Sequence, residues 1–166
     1  MRFVLDGMLG KLTRWLRMIG HDALYLNDAR DQDLVARALS ENRILLTSDI
    51  ALFRLAIARG ADAYLVKGRT EAERLASLAS RFRLDLSVNT AESRCPTCGS
   101  LLRAAPKEEV RGKVPATTFN VFDEFWTCSN SECGKVYWQG SHWENIGAVL
   151  KRAREILRKA DPAHGG

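Results

Sequence analysis

Phe3-Val4-Leu5-Asp6-Gly7 and Ile44-Leu45-Leu46-Thr47-Ser48-Asp49 each carry a short apolar strand directly into an aspartate. Residues 23–26 and 63–66 repeat the short apolar pattern. Segments with helical spacing separate them: 7–19, stopped by Gly20, then 31–41 and 50–59. A further helix follows Thr70, which with Glu73 forms a capping box, and Leu75, Leu78, Ala79 and Phe82 share one of its faces. Strand and helix alternate four times, an order that predicts an α/β fold: a parallel sheet flanked by helices on both faces.

In an open parallel sheet the carboxyl ends of the strands share one edge, where ligands bind. Asp6 and Asp49 end two strands, and Asp28, Asp31 and Asp33 follow another. Helix capping is the alternative explanation for Asp31 and Asp49, which stand where helices begin. Asp6 has no such simple account, since it ends an apolar strand and precedes Gly7. Several carboxylates at one edge repel unless a cation neutralises them, and oxygen ligands without histidine suit magnesium or manganese. In the first helix, Met8, Leu12, Trp15, Leu16 and Ile19 are expected to form the buried stripe. Lys11, Arg14 and Arg17 line the other side, either as a solvated face or as cations holding a phosphodiester against the acidic edge.

The second half carries all four cysteines, in Cys95-Pro96-Thr97-Cys98-Gly99 and Cys128-Ser129-Asn130-Ser131-Glu132-Cys133-Gly134. Two short loops that each give two thiolates make a tetrahedral zinc site with no open position, hence a structural one. Free thiols or disulfides are the alternatives. The glycine after each second cysteine frees the backbone to fold back under a metal. Residues 107–113 read as an exposed loop or hairpin tip, and Phe119, Val121, Phe122, Phe125, Trp126, Val136, Tyr137 and Trp138 read as ribbon strands. Their aromatics are read as core or interface packing, with base stacking as the alternative. Ser141 and Glu144 then have capping-box spacing, and Ile146, Val149, Leu150, Ala153, Ile156 and Leu157 share a helical face opposite Lys151, Arg152, Arg154, Arg158 and Lys159.

The chain has 166 residues, 46% hydrophobic and 27% charged, which excludes a disordered chain. No apolar run is long enough to span a membrane, and Asp6 comes too early for a secretory signal. A cytoplasmic protein is therefore expected. Lys and Arg number 25 against 20 Asp and Glu, a net +5 that leans mildly toward a polyanionic partner. No glycine-rich phosphate loop ending in Lys-Ser/Thr occurs. A serine or cysteine nucleophile also lacks support, with three histidines in the chain and the cysteines committed to metal.

Taken in order, Phe3 to Leu12, Trp15 to Gly20, Asp31 before Leu34, Ile44 to Asp49, the cysteine pairs and Tyr137 to Trp143 resemble one family. It is the PIN-like ribonucleases named for the C-terminal domain of the Mut-seven exonucleases, a PIN-fold domain bearing a zinc ribbon. The resemblance implies a PIN-like nuclease domain over 1–90 and a zinc ribbon over 91–140, beside the C-terminal helix read over 141–160 and a tail over 161–166 expected to fray. It implies a metal-dependent ribonuclease site at Asp6, Asp31 and Asp49, with Asp33 as an additional acid and one or two magnesium or manganese ions. RNA, taken as single-stranded, is the implied substrate, and a ribosome or other RNA–protein complex a further partner. Ser48 departs from the arginine common in the family between the threonine and aspartate of this motif, which leaves the phosphate contact to Arg54 or weakens it. The rival reading is a non-catalytic RNA- or ribosome-binding protein whose acidic edge is only structural.

Overall fold

The computed structural model describes residues 1–160, so the tail expected over 161–166 lies outside the described residues. The first half alternates β1 (Arg2–Leu5), α1 (Gly10–Met18), β2 (Asp22–Tyr25), α2 (Asp31–Ser40), β3 (Ile44–Thr47), α3 (Ile50–Ala58), β4 (Ala63–Leu65) and α4 (Glu71–Phe82). The four strands form one parallel sheet in the order β2-β1-β3-β4. Successive side chains of a strand alternate between faces. Phe3 and Leu5 therefore join a core with α1 and α4, while Val4 joins a second core with Leu34, Val35 and Leu52 of α2 and α3. The expected α/β architecture is what the chain adopts.

The second half forms an antiparallel ribbon of β5 (Leu102–Ala105), β6 (Phe125–Cys128) and β7 (Val136–Tyr137), with α5 (Ala116–Val121) between the first two strands. Its own core is small: Ala105, Val110 and Phe125 are buried, with Phe119, Phe122 and Trp138 packed on them. The final helix, α6 (His142–Ala160), returns to the first half. Leu150 and Ala153 are buried against the α1–α4 core, flanked by Ile146, Val149, Ile156 and Leu157, the expected apolar face. None of the described helices is long and apolar enough to cross a membrane.

Four local expectations need correction. The first helix opens as a 3-10 turn, Gly7–Leu9, before α1 begins at Gly10. The tighter winding turns Leu9 into the core and leaves Met8 70% exposed. Phe119 and Val121 lie on a helix, α5, rather than on a strand. Phe119 and Phe122 are three apart, a helical spacing, and Pro115 immediately before α5 holds φ at −56°, where a helix can start. Residues Lys107–Val110 form a 3-10 turn whose Val110 is fully buried, so this segment closes the ribbon core instead of forming a free tip. Helix α6 begins where expected, but its first turn closes through the Trp143 N–H donating to the Gly140 carbonyl at 2.9 Å, with no Ser141–Glu144 capping pair among the described contacts.

Candidate active site and metal centre

At the carboxyl edge of the sheet, β1 and β3 are neighbours in the register Leu5 with Leu46, so Asp6 and Thr47 follow side by side. Asp6 is buried. Its Oδ1 accepts the Met8 N–H at 2.8 Å, capping the 3-10 turn, and its Oδ2 accepts the Thr47 hydroxyl. Thr47 Oγ1 in turn accepts the Asp49 N–H at 2.9 Å. A hydroxyl donates one proton while accepting others. The direction of this relay is therefore fixed, from Asp49 through Thr47 to Asp6.

Asp49 is exposed and caps α3, its Oδ1 accepting from Ala51 N–H at 2.6 Å and Leu52 N–H at 3.2 Å. Its Oδ2 has no protein partner among the described residues. The capping and edge readings of Asp49 thus hold together: one oxygen serves the helix and the other faces outward.

The turn after Asp6 is held from β2. The Tyr25 hydroxyl lies 2.9 Å from the Gly7 carbonyl and 3.0 Å from Asn27 Oδ1. A Cβ on Gly7 would sit 2.5 Å from the Asn27 carbonyl oxygen, closer than real Cβ atoms come, so this approach requires glycine. Thr47, Tyr25 and Asn27 are the residues that sequence reasoning missed. A threonine closing an apolar run is indistinguishable in sequence from a β-branched strand former.

The remaining acids lie farther out. Asp31 is the exposed first residue of α2 and makes no side-chain cap; Arg30 occupies the cap position. Asp33 is exposed and paired with Arg30 at 3.0 Å, and that hydrogen-bonded guanidinium holds its carboxyl below the usual range. Among the described residues, the one group of three or more His, Cys, Asp or Glu side chains with ligand atoms within 4.8 Å is the cysteine set. The expected crowding of Asp6, Asp31 and Asp49 is thus not reached: each carboxylate is met by donors of its own neighbourhood or by solvent. Asp6 and Asp49 stay joined through Thr47. Magnesium is commonly held by one or two carboxylates, several waters and substrate phosphate; within this pair, Asp49 Oδ2 is the oxygen with no protein partner among the described residues.

Of the three cations on α1, Lys11 and Arg14 are exposed and Arg17 is buried. Arg17 donates through Nε to the Ala23 carbonyl at 2.9 Å and through one amino group to the carbonyls of Pro96 and Thr97 at 3.0 and 2.9 Å. It fastens the cysteine loop to the sheet, so it leaves the expected phosphate-facing row. Ser48 is half-buried and Arg54 is exposed on α3.

The four cysteine sulfurs lie within 4.8 Å of one another, Cys95 to Cys133 at 3.8 Å and Cys98 to Cys128 at 3.3 Å. A zinc–sulfur distance of about 2.3 Å in a tetrahedron implies sulfur separations of about 3.8 Å. A disulfide needs about 2.05 Å, and all four thiols are free. Gly99 at φ +82° and Gly134 at φ +58° take the left-handed backbone expected of loops folding under a metal. Burial pushes the Cys128 thiol up to about 12. Desolvation also acts on Cys98, but hydrogen bonds, those from Ser100 first and then from the neighbouring cysteines, outweigh it and bring that thiol down to about 6. The four cysteines are positioned to bind one metal ion, and an all-thiolate set suits zinc.

No curated protein and no solved structure matches the chain. The Mut7-C RNAse domain profile matches residues 1–150, from the Asp6 edge through the four cysteines into α6. With a shared sheet edge, a four-thiolate centre and a match across both, the chain belongs to the Mut7-C RNAse domain family.

Proposed function

We propose that this protein is a magnesium- or manganese-dependent ribonuclease that hydrolyses phosphodiester bonds of single-stranded RNA at the Asp6–Asp49 edge, with zinc as a structural ion on Cys95, Cys98, Cys128 and Cys133. The observation that carries the reading is the Asp49–Thr47–Asp6 relay at the ends of adjacent strands in a chain of a ribonuclease family. Asp6 and Asp49 would hold the divalent ion, with Asp31, farther out in the first turn of α2, as the third carboxylate. Asp33, tied to Arg30, is an auxiliary acid. A bound divalent ion polarises the scissile phosphate and lowers the pKa of its water. Thr47 orients Asp6, while Lys11 and Arg14 hold the RNA backbone without reading its sequence. Cysteines kept for zinc rather than for disulfides support a cytoplasmic location as part of this reading.

The test is cleavage of end-labelled single-stranded RNA with manganese. Asp6→Asn and Asp49→Asn are each expected to abolish it while zinc content stays at the parent value, and Asp49→Asn, which alters only the unpartnered oxygen, should also keep the parent's melting. Unchanged rates in both variants would overturn the mechanism. One observation favours a second reading: both oxygens of Asp6 and one of Asp49 are already taken by protein donors. On that reading the protein binds RNA or a ribosome-like RNA–protein complex without cutting. Chelator-insensitive RNA binding with no cleavage would establish it.

A further inference from the structure

A cleft of about 870 Å³ opens between α1, the zinc ribbon and the start of α6. We propose that it is a groove for single-stranded RNA, in which bases stack on Trp126, Trp138 and Trp143 and phosphates meet Arg14 and Arg94. The inference rests on RNA being the substrate, as read above, and adds a site separate from the acidic edge.

Three observations converge on it. The first is the wall. Trp126 stands on β6, Trp138 follows β7 and Trp143 lies in the first turn of α6, so aromatics from three segments face one space. All three indoles are half-buried, so part of each stays open to solvent. Trp138, for example, packs on Phe125 with ring centroids 6.5 Å apart. A rigid aromatic with one free face is what unpaired bases stack on, with little regard for sequence.

The second observation is charge. No aspartate or glutamate lines the cleft. Neither Arg14 nor Arg94 has a carboxylate at ion-pair distance among the described residues, whereas Arg103 and Arg111 of the ribbon are paired with Glu109 and Glu108. Arg94 donates to the Gly99 carbonyl at 3.1 Å, and its buried Nε has no partner. A polyanion supplies what this wall lacks.

The third is continuity. Arg14 lies one turn from Lys11 on the exposed side of α1, and the helix starts beside the acidic edge. Gly10 to Arg14 spans about 6 Å at 1.5 Å per residue. A strand resting in the cleft therefore passes along two unpaired cations to the carboxylates.

Binding is measured on the full zinc-loaded chain carrying Asp6→Asn, so that turnover does not consume the probe. The probe is a fluorescein-labelled oligouridylate of about 12 nucleotides. We expect binding with quenched tryptophan emission, about tenfold weaker for Trp143→Ala. Arg94→Gln weakens binding and lowers the salt slope by about one. An abasic oligomer of the same length, or a duplex, binds less tightly and leaves the emission unquenched. Parent-like affinity in both variants, equal binding of the abasic oligomer, or no RNA binding at all would overturn the groove; in the last case the apolar wall belongs to a polypeptide partner. Should Trp143→Ala fail to fold, Arg14→Gln on an exposed helix face repeats the salt-slope test. Affinity is the readout here and cleavage is not. A failed groove therefore leaves the acidic edge standing, and a failed cleavage assay leaves the groove standing.

Discussion

The hydroxyl of Thr47 is the smallest group on which the acidic edge depends. It is fully buried, and among the described residues it is the atom that hydrogen-bonds both Asp6 and the backbone of Asp49. Thr47→Val keeps the shape but strips a buried carboxylate oxygen and a part-buried N–H of their shared partner. We expect a loss of about 1–3 kcal/mol in urea unfolding. Manganese affinity should fall about 10–100-fold by titration calorimetry, as for other groups that orient a metal ligand. Thr47→Ser should recover most of both. If Val and Ser behave alike, Thr47 is only packing. Residues of this kind were the least legible in the sequence: Asp6 and Asp49 stood out because a charge ends an apolar run, but a hydroxyl inside the run carries no such contrast. The same holds for Tyr25 and Asn27, whose partners lie across the sheet from them in sequence. Gly7 could be seen, yet the reason for it, the Asn27 carbonyl 2.5 Å from where its Cβ would be, exists only once β1 and β2 are paired.

Elements read from periodicity came through where one face alone determines them. The α6 stripe from Ile146 to Leu157 packs as its spacing demands, and the Thr70–Glu73 capping box closes α4. Helix α1 shows where periodicity stops being enough. Lys11, Arg14 and Arg17 are equivalent by spacing, but the cysteine loop covers the last turn, so Arg17 is buried while the other two remain in water. A cation buried by a distant segment is invisible to a helical wheel. The backbone joins in as well: the Arg94 N–H donates to the Arg17 carbonyl at 2.9 Å, and Ser93 Oγ to the Met18 carbonyl at 2.7 Å. The C-terminal turn of α1 and the first cysteine loop are therefore one unit. Arg17→Met should leave three carbonyls short of a donor and cost about 2–4 kcal/mol. It should also speed zinc loss to a chromogenic chelator several-fold. Arg17→Lys, which reaches one carbonyl at a time, should fall between. Zinc release at the parent rate in Arg17→Met would show that the loop holds its shape without this anchor.

At the scale of the whole molecule, two cores on the faces of the sheet and a much smaller one in the ribbon share one chain. The sheet half buries a layer on each face, whereas the ribbon's apolar core is Ala105, Val110 and Phe125. So small a core does not hold three short strands together without a staple, and metal binding is then folding energy. The cysteine spacing made this much readable in advance, because four soft ligands in two short loops have few other uses. How the ribbon would sit on the rest was not readable, since Arg17, Ser93 and α6 join it to the sheet through contacts between residues distant in sequence. Helix α6 follows the ribbon yet completes the α1–α4 core, and α4 and α6 form the most extensive helix pair. Losing the metal therefore unties the ribbon first and leaves α6 docked on its own apolar face. With chelator under reducing conditions, we expect the helical far-UV signal to persist while tryptophan fluorescence shifts to the red, since Trp126 and Trp138 lose their packing. The melting midpoint should fall by about 10 °C or more, the consequence of several kcal/mol lost from a chain of this length. Re-adding zinc should restore both signals, and magnesium should restore neither, because thiolates select the softer ion. A chelated protein that keeps its fluorescence and its midpoint would mean that the ribbon stands on packing alone, and the four cysteines would need another role.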